Sequence, residues 1–183
     1  MKKLIMFAIL LLSACYSYAV DSYSYRIVDA VVIDGDTIKA TVIMGLNVAL
    51  INQEIRVAGI DTPEIHTKNL HEKKAGIIAK KYLWYAYNKS SNNWIKNAVK
   101  DKYGRILANV VFDGVDIARE MVDKKMGREY YGDKREPWTT AELSVIVDEA
   151  ADVTDFNDNS IEEKKIYRKV NPESAVESMT ESD

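Results

Sequence analysis

A single cysteine and two histidines stand in this chain of 183 residues. One cysteine excludes an intramolecular disulfide and a multi-cysteine zinc site. Two histidines leave little for a histidine-based metal centre. With three prolines and eight glycines the chain is neither collagen-like nor proline-rich. Strong net charge is also missing, since 25 Lys and Arg face 28 Asp and Glu for a formal charge of -3. What remains is a hydrophobic fraction of 47% beside a charged fraction of 29%. That balance belongs to a soluble globular protein, not to a disordered or fibrous one. The length suits one domain with extensions and allows a real core.

The near-neutral total hides an asymmetry. Residues 139–183 carry 12 acids and 4 bases, whereas residues 1–138 carry 21 bases and 16 acids. The body is therefore mildly basic and compatible with an anionic partner, and the C-terminal extension is acidic. At the other end, Lys2 and Lys3 precede the apolar run Leu4 to Leu12. That run is too short to span a bilayer as a helix and suits the h-region of a signal peptide over residues 1–19. Two cleavage patterns compete. Leu12-Ser13-Ala14-Cys15 resembles a lipobox, which would lipidate Cys15 and anchor the protein to a membrane. Ser17-Tyr18-Ala19 resembles an ordinary signal-peptidase site, which would start the mature chain near Val20. Either route predicts an exported protein, periplasmic or secreted in one case and a membrane-anchored lipoprotein in the other.

Between residues 20 and 138 the pattern is that of a folded domain. Tyr25 to Ile43 is rich in Val, Ile and Thr and reads as two strands around the turn Asp34-Gly35-Asp36. Met44 to Asn52 reads as a loop, and Ile55 and Val57 flank Arg56 in a third strand ending at Gly59. From Lys68 to Asn88, Ala75, Ile78, Ala79, Tyr82 and Ala86 recur at helical spacing, with lysines between them. Trp94 to Val99 and Arg105 to Phe112 read as strands four and five, joined by a turn at Asp101-Lys102-Tyr103-Gly104. Asp116 to Lys125 reads as a short amphipathic helix and Ala141 to Ala151 as one more. Asn157 to Asp183 has few large apolar residues and many acids and reads as mostly disordered. The expected fold class is α+β, mainly β: a five-stranded Greek-key barrel of the OB type with two to three packed helices.

Three clusters carry chemistry, each at a strand end or turn: Asp34-Gly35-Asp36-Thr37, Arg56 with Gly59-Ile60-Asp61-Thr62-Pro63-Glu64, and Asp101-Lys102-Tyr103-Gly104-Arg105. Taken singly, each has an ordinary structural reading. Asp-Gly-Asp is a common turn, Asp-Thr-Pro-Glu can start a helix, and Lys-Tyr-Gly-Arg can tip a hairpin. Together and in this order, from about Tyr25 to Trp138, they resemble the staphylococcal nuclease (thermonuclease) family. Tyr131 to Trp138 is similar to the ending of its compact bacterial and phage members. The cysteines that some of those relatives carry near the positions of Asn69 and Thr139 are missing here.

The resemblance implies a nuclease that hydrolyses phosphodiester bonds in DNA and RNA, works as a monomer and leaves a 3′-phosphate and a 5′-hydroxyl. Attack on a phosphodiester builds charge on its oxygens, so the site must supply cations and a base for water. Asp36, Asp61 and the Thr62 carbonyl offer only hard oxygen ligands, which points to Ca2+ over Zn2+, and the matching family positions hold calcium. Glu64 matches the general base. Arg56 and Arg105 match the arginines that grip the phosphate through planar guanidinium forks. Lys102 and Tyr103 match positions that touch a second phosphate of the nucleotide, and Tyr130 and Tyr131 fall near its stacking tyrosines. Asp34 reads as support for the turn. His66 and His71 read as exposed loop and helix-start residues. The rival class is a non-catalytic OB-fold lipoprotein that binds nucleic acid without cutting it.

Overall fold

The β-branched run at the start of the domain folds into the expected hairpin in the computed structural model, which describes residues 23–132 and 134–152. The N-terminal segment with Cys15, read above as a signal peptide, and the acidic residues from 153 onward lie outside the described residues. The strands are β1 (Ser24–Asp34), β2 (Thr37–Gly45), β3 (Val48–Val57), β4 (Gly59–Asp61), β5 (Asn93–Lys100), β6 (Ile106–Phe112), β7 (Val115–Asp116) and β8 (Arg128–Tyr130). The helices are α1 (Leu70–Lys89), α2 (Ile117–Asp123) and α3 (Thr140–Asp152). The large sheet runs β3-β2-β1-β5-β6-β7, and a parallel pairing of β3 with β6 closes five of its strands into a mixed barrel. Antiparallel β4 and β8 form a separate ribbon beside it.

Closing five strands into a barrel requires sharp local coiling, and β-bulges supply it. Register shifts fall in β1 between Val28 and Val31, in β3 opposite Ala40 and Val42, and in β5 between Lys96 and Val99. Each coincides with a left-handed residue, Asp29 at φ 52°, Asn52 at φ 56° and Asn97 at φ 54°. Asp and Asn are the non-glycine residues that tolerate this conformation best. The bulge in β1 also explains why Ile27 and Val32 are both buried while Val31 faces solvent. It turns the Ala30 N–H out of the ladder to donate to the Tyr87 hydroxyl on α1 at 3.0 Å. Tyr87 then meets Phe112 of β6 edge to face at 5.6 Å, so one side chain pins α1 to two barrel strands.

The expected loop at Met44 to Asn52 is instead a hairpin. Gly45 pairs with Val48 around Leu46 and Asn47, which have φ of 51° and 59°. Two consecutive left-handed residues make the tight turn whose twist matches its flanking strands. Helix α1 begins at Leu70, not within Asp61 to Glu64. Asn69 caps it by accepting from the backbone N–H of His71 and Glu72. Past Trp138, where the sequence places the end of the domain, Leu143 and Ile146 of α3 are buried in the same core as the barrel residues.

Candidate active site

The sequence-derived clusters meet at one end of the barrel, around the segment Asp61-Thr62-Pro63-Glu64 that leaves β4. Two glycines let the flanking elements close on it. Gly35, between β1 and β2, does not have a left-handed backbone. It is needed for space, because a Cβ there would lie 2.6 Å from Thr62 Oγ1 and 2.9 Å from Ala79 Cβ of α1. Gly76 brings α1 against the other side, where a Cβ would lie 2.5 Å from the Pro63 carbonyl oxygen. Glu72 of the same helix accepts from Thr67 Oγ1 at 3.0 Å and so holds the connection to the helix.

Asp36 and Arg56 face each other inside this end. Arg56 Nη1 lies 3.0 Å from Asp36 Oδ2, with both side chains largely buried. The same Oδ2 accepts from the Thr62 N–H and hydroxyl, each at 3.1 Å. Burial pushes the Asp36 carboxyl above its ordinary range, against the pull of Arg56 and of the Thr62 and Thr37 hydrogen bonds. Burial likewise lowers Arg56, against the charges of Asp36 and Asp61, and a guanidinium so partnered stays protonated. Arg56 also donates to the carbonyls of Asp36 and Val57 at 3.2 Å and of Ile60 at 2.9 Å. It therefore stitches the start of β2 and the end of β3 to β4. Its Nε–H has no acceptor among the described residues.

Asp61 is fully buried and is gripped by two arginines that the sequence reading did not single out. Arg128 of β8, which sits opposite Asp61 in the β4–β8 ribbon, donates to Oδ2 through Nε at 3.2 Å and Nη2 at 3.1 Å. Its guanidinium lies 4.1 Å over the Trp138 ring, and it also bonds the Glu136 carbonyl and, at 3.5 Å, Glu142 of α3. Arg135 donates to Asp61 Oδ1 through Nε at 2.6 Å and to the Thr62 carbonyl through Nη2 at 3.3 Å. Its Nη1 donates to Glu64 Oε1. The contacts with Asp61, Thr62 and Glu64 span 67 to 74 residues of chain, so no local spacing could reveal them. The one sequence signal was the Arg-bearing stretch around Tyr130 and Tyr131.

Glu64 stands at the rim, part exposed, between Arg135 and the neighbouring Asp34 carboxyl. Asp34 accepts from the Gly35 N–H at 2.8 Å. Burial raises its pKa to about 6, the Gly35 bond opposes that, and repulsion from Asp36 and Glu64 adds to it. Asp34 is thus a direct neighbour of Glu64 as well as a turn residue.

Arg105 immediately precedes β6, and its charge acts on Arg56 along with that of Arg135. Asp101 shapes this loop by accepting from the N–H of Tyr103 and Arg105 and from Arg105 Nε at 2.8 Å. Burial opposes it, but those bonds hold the Asp101 carboxyl below its usual range. The exposed Tyr103 ring lies 5.1 Å from Lys102 Nζ and 5.5 Å from the Arg105 guanidinium carbon. Tyr130 pairs with Gly59 across the β4–β8 ribbon, and exposed Tyr131 lies beside Gly59.

No three His, Cys, Asp or Glu side chains gather at metal-binding spacing among the described residues. A hard cation here would therefore draw on backbone oxygen as well as carboxylate. The donor set fits one: Asp61 Oδ1, the Thr62 carbonyl and Glu64 converge on the single guanidinium of Arg135, with Asp36 bonded to the same Thr62. All are oxygens of the kind Ca2+ prefers.

Compared with known families, residues 54–154 match the model described as staphylococcal nuclease homologue. That stretch takes in Arg56, Asp61, Glu64, Arg105, Arg128 and Arg135, while Asp36 lies ahead of it. No curated protein matches the chain.

Proposed function

The chain belongs to the staphylococcal nuclease homologue family, and we propose that it is an exported, Ca2+-dependent nuclease cutting phosphodiester bonds in DNA and RNA with little sequence preference. One observation carries this reading. Clusters far apart in the chain meet at one barrel end, where Asp36 joins Arg56 at 3.0 Å and Thr62 at 3.1 Å while Glu64 reaches the rim.

Asp36, Asp61 and the Thr62 carbonyl would hold Ca2+, which when bound supplies positive charge to a phosphate oxygen. Arg56, fixed by three backbone carbonyls, keeps Nε–H for the phosphate. Arg105, held by Asp101 from the loop between β5 and β6, meets the phosphate from the other side. Both guanidiniums are in place before substrate arrives, so little reorganisation is needed as charge builds on the phosphate. Glu64 accepts the proton of the attacking water, and its part exposure gives water access. Lys102 and exposed Tyr103 extend the cationic surface along the strand, and Tyr130 and Tyr131 offer ring faces to bases. This chemistry reads backbone and base face and not base edge, so it discriminates little between sequences.

The test is incubation of purified protein with linear and circular DNA in Ca2+, in Mg2+ and in chelator. The expected result is Ca2+-dependent loss of both substrates, abolished by chelator. Binding without cleavage in all three conditions would overturn the reading in favour of a nucleic-acid-binding barrel. Mass spectrometry of the membrane fraction separates a lipid-modified Cys15 from a chain starting at Val20.

A further inference from the structure

Arg135 sits on the oxygens that a divalent cation would need. Nε and Nη2 reach Asp61 Oδ1 at 2.6 and 2.5 Å, and Nη2 reaches the Thr62 carbonyl at 3.3 Å. The remaining nitrogen, Nη1, bonds Glu64. A guanidinium and a metal ion cannot share these acceptors. Ca2+ binds oxygen at about 2.3–2.6 Å and so occupies the space through which the N–H groups point. Arg135 also comes from a different part of the structure than the rest of the site. It lies after β8, next to exposed Lys134, and its own side chain is 43% exposed. An arginine so placed can swing into solvent without unfolding the barrel, and Arg128 stays on Asp61 Oδ2 when it does.

We propose that Arg135 is a built-in competitor for the divalent-cation site: it neutralises Asp61 and ties down Glu64 in the metal-free protein, and cation binding displaces it. The inference rests on the Ca2+ reading above. One displacement does two things. It frees Asp61 Oδ1 and the Thr62 carbonyl for the cation, and it releases Glu64 to accept a proton from water. Metal loading and release of the base are therefore one event, and the metal-free enzyme is held with its base masked.

Calorimetric titration of CaCl2 into the full-length protein tests this without reference to activity. Arg135→Gln keeps a polar side chain but removes the competing charge and fork, and should bind Ca2+ at least about tenfold more tightly than wild type. Arg135→Lys keeps the charge and loses the fork, so it should fall between. Lys134→Gln makes the same charge change one residue away on a side chain that touches no site residue, and should leave the affinity unchanged. The melting temperature of each variant in chelator reports whether it is folded, and Arg135→Lys carries the test if Arg135→Gln is not. Equal or weaker Ca2+ binding by Arg135→Gln would overturn the proposal, as would an equal gain in Lys134→Gln, which would reduce the effect to long-range charge. Absence of Ca2+ binding in wild type and every variant would overturn the metal reading itself, and this inference with it.

Discussion

Gly76→Ala pits two effects of opposite sign against each other. Gly76 lies inside α1, where replacing glycine by alanine ordinarily stabilises a helix by about 1 kcal/mol. Here the new Cβ would stand 2.5 Å from the Pro63 carbonyl oxygen and 3.0 Å from the Glu64 carbonyl carbon. Ordinary contact begins at 3.4 Å, so helix and segment must part by about 0.9 Å (3.4 less 2.5). Neither partner is the free end of a side chain. One is backbone beside buried Thr62, the other a helix whose Ala75, Ala79 and Leu83 are fully buried. Overpacking of this kind costs about 1–3 kcal/mol, and the contact with backbone places it at the upper end. The net expectation is a loss of about 1–2 kcal/mol where helix propensity alone predicts a gain. The functional effect should be larger than the stability effect. Catalytic groups must be held within about 0.5 Å, and a 1 Å displacement costs on the order of 100-fold in rate. The variant should therefore show a lower denaturation midpoint together with a fall in kcat of roughly 10- to 100-fold. Urea unfolding and nuclease turnover on the same preparation measure both. A variant at least as stable as wild type with unchanged kcat would refute the idea that α1 wedges Glu64 into place.

Glu64→Gln removes the proposed proton acceptor but keeps the shape, and should lower turnover by about 10²–10⁴-fold with a melting temperature close to wild type. Near-normal turnover would take the base role from Glu64. Asp34→Asn tests the carboxyl that burial raises from 3.8 to about 6, with Asp36 and Glu64 adding repulsion. A folded-state pKa above the unfolded one means the folded protein holds the extra proton. The stability is full below the unfolded value and is lost as pH rises through about 6. Asn cannot ionise, so in chelator the variant should gain about 1 kcal/mol over wild type at pH 8, after allowance for solvent screening at a part-exposed site, and nothing at pH 4. Denaturant midpoints at the two pH values decide it, and an equal effect at both would point to lost hydrogen bonding to Gly35 instead of charge.

How much of this was legible in the sequence depended on how far apart in the chain the partners lie. The β1–β2 hairpin could be read because its β-branched residues and its turn are contiguous. The region Met44 to Asn52 misled because Asn47 and Asn52 look like loop residues. Both are left-handed positions, one in a two-residue turn and one in a bulge that bends a strand. Polar turn-formers there serve curvature within the sheet, and composition cannot separate that from a loop. The short β4 was invisible because its pairing energy comes from β8, far along the chain. The site followed the same division. Asp36, Arg56, Asp61, Glu64 and Arg105 lie in compact clusters that announce themselves. Arg128 has no acid at helix or strand spacing and Arg135 has only Asp133 two residues before it, whereas the carboxylates they grip in the site, Asp61 and Glu64, lie across the fold.

Charge accounting around those two arginines gives a final expectation. Ca2+ together with one phosphodiester carries a net charge of about +1, the same as the Arg135 guanidinium they would replace. Exchange of Arg135 for metal plus substrate therefore leaves the charge around buried Asp61 unchanged, whereas Ca2+ alone adds one positive charge beside Arg56 and Arg128. Substrate phosphate should then strengthen Ca2+ binding, and by reciprocity Ca2+ should strengthen oligonucleotide binding by the same factor, on the order of 5- to 150-fold. The catalytically disabled Glu64→Gln protein allows both affinities to be measured without cleavage, by calorimetry for the metal and fluorescence anisotropy for the oligonucleotide. Equal Ca2+ affinities with and without oligonucleotide would show that the barrel end does not balance its charge in this way, and that metal and phosphate occupy it independently.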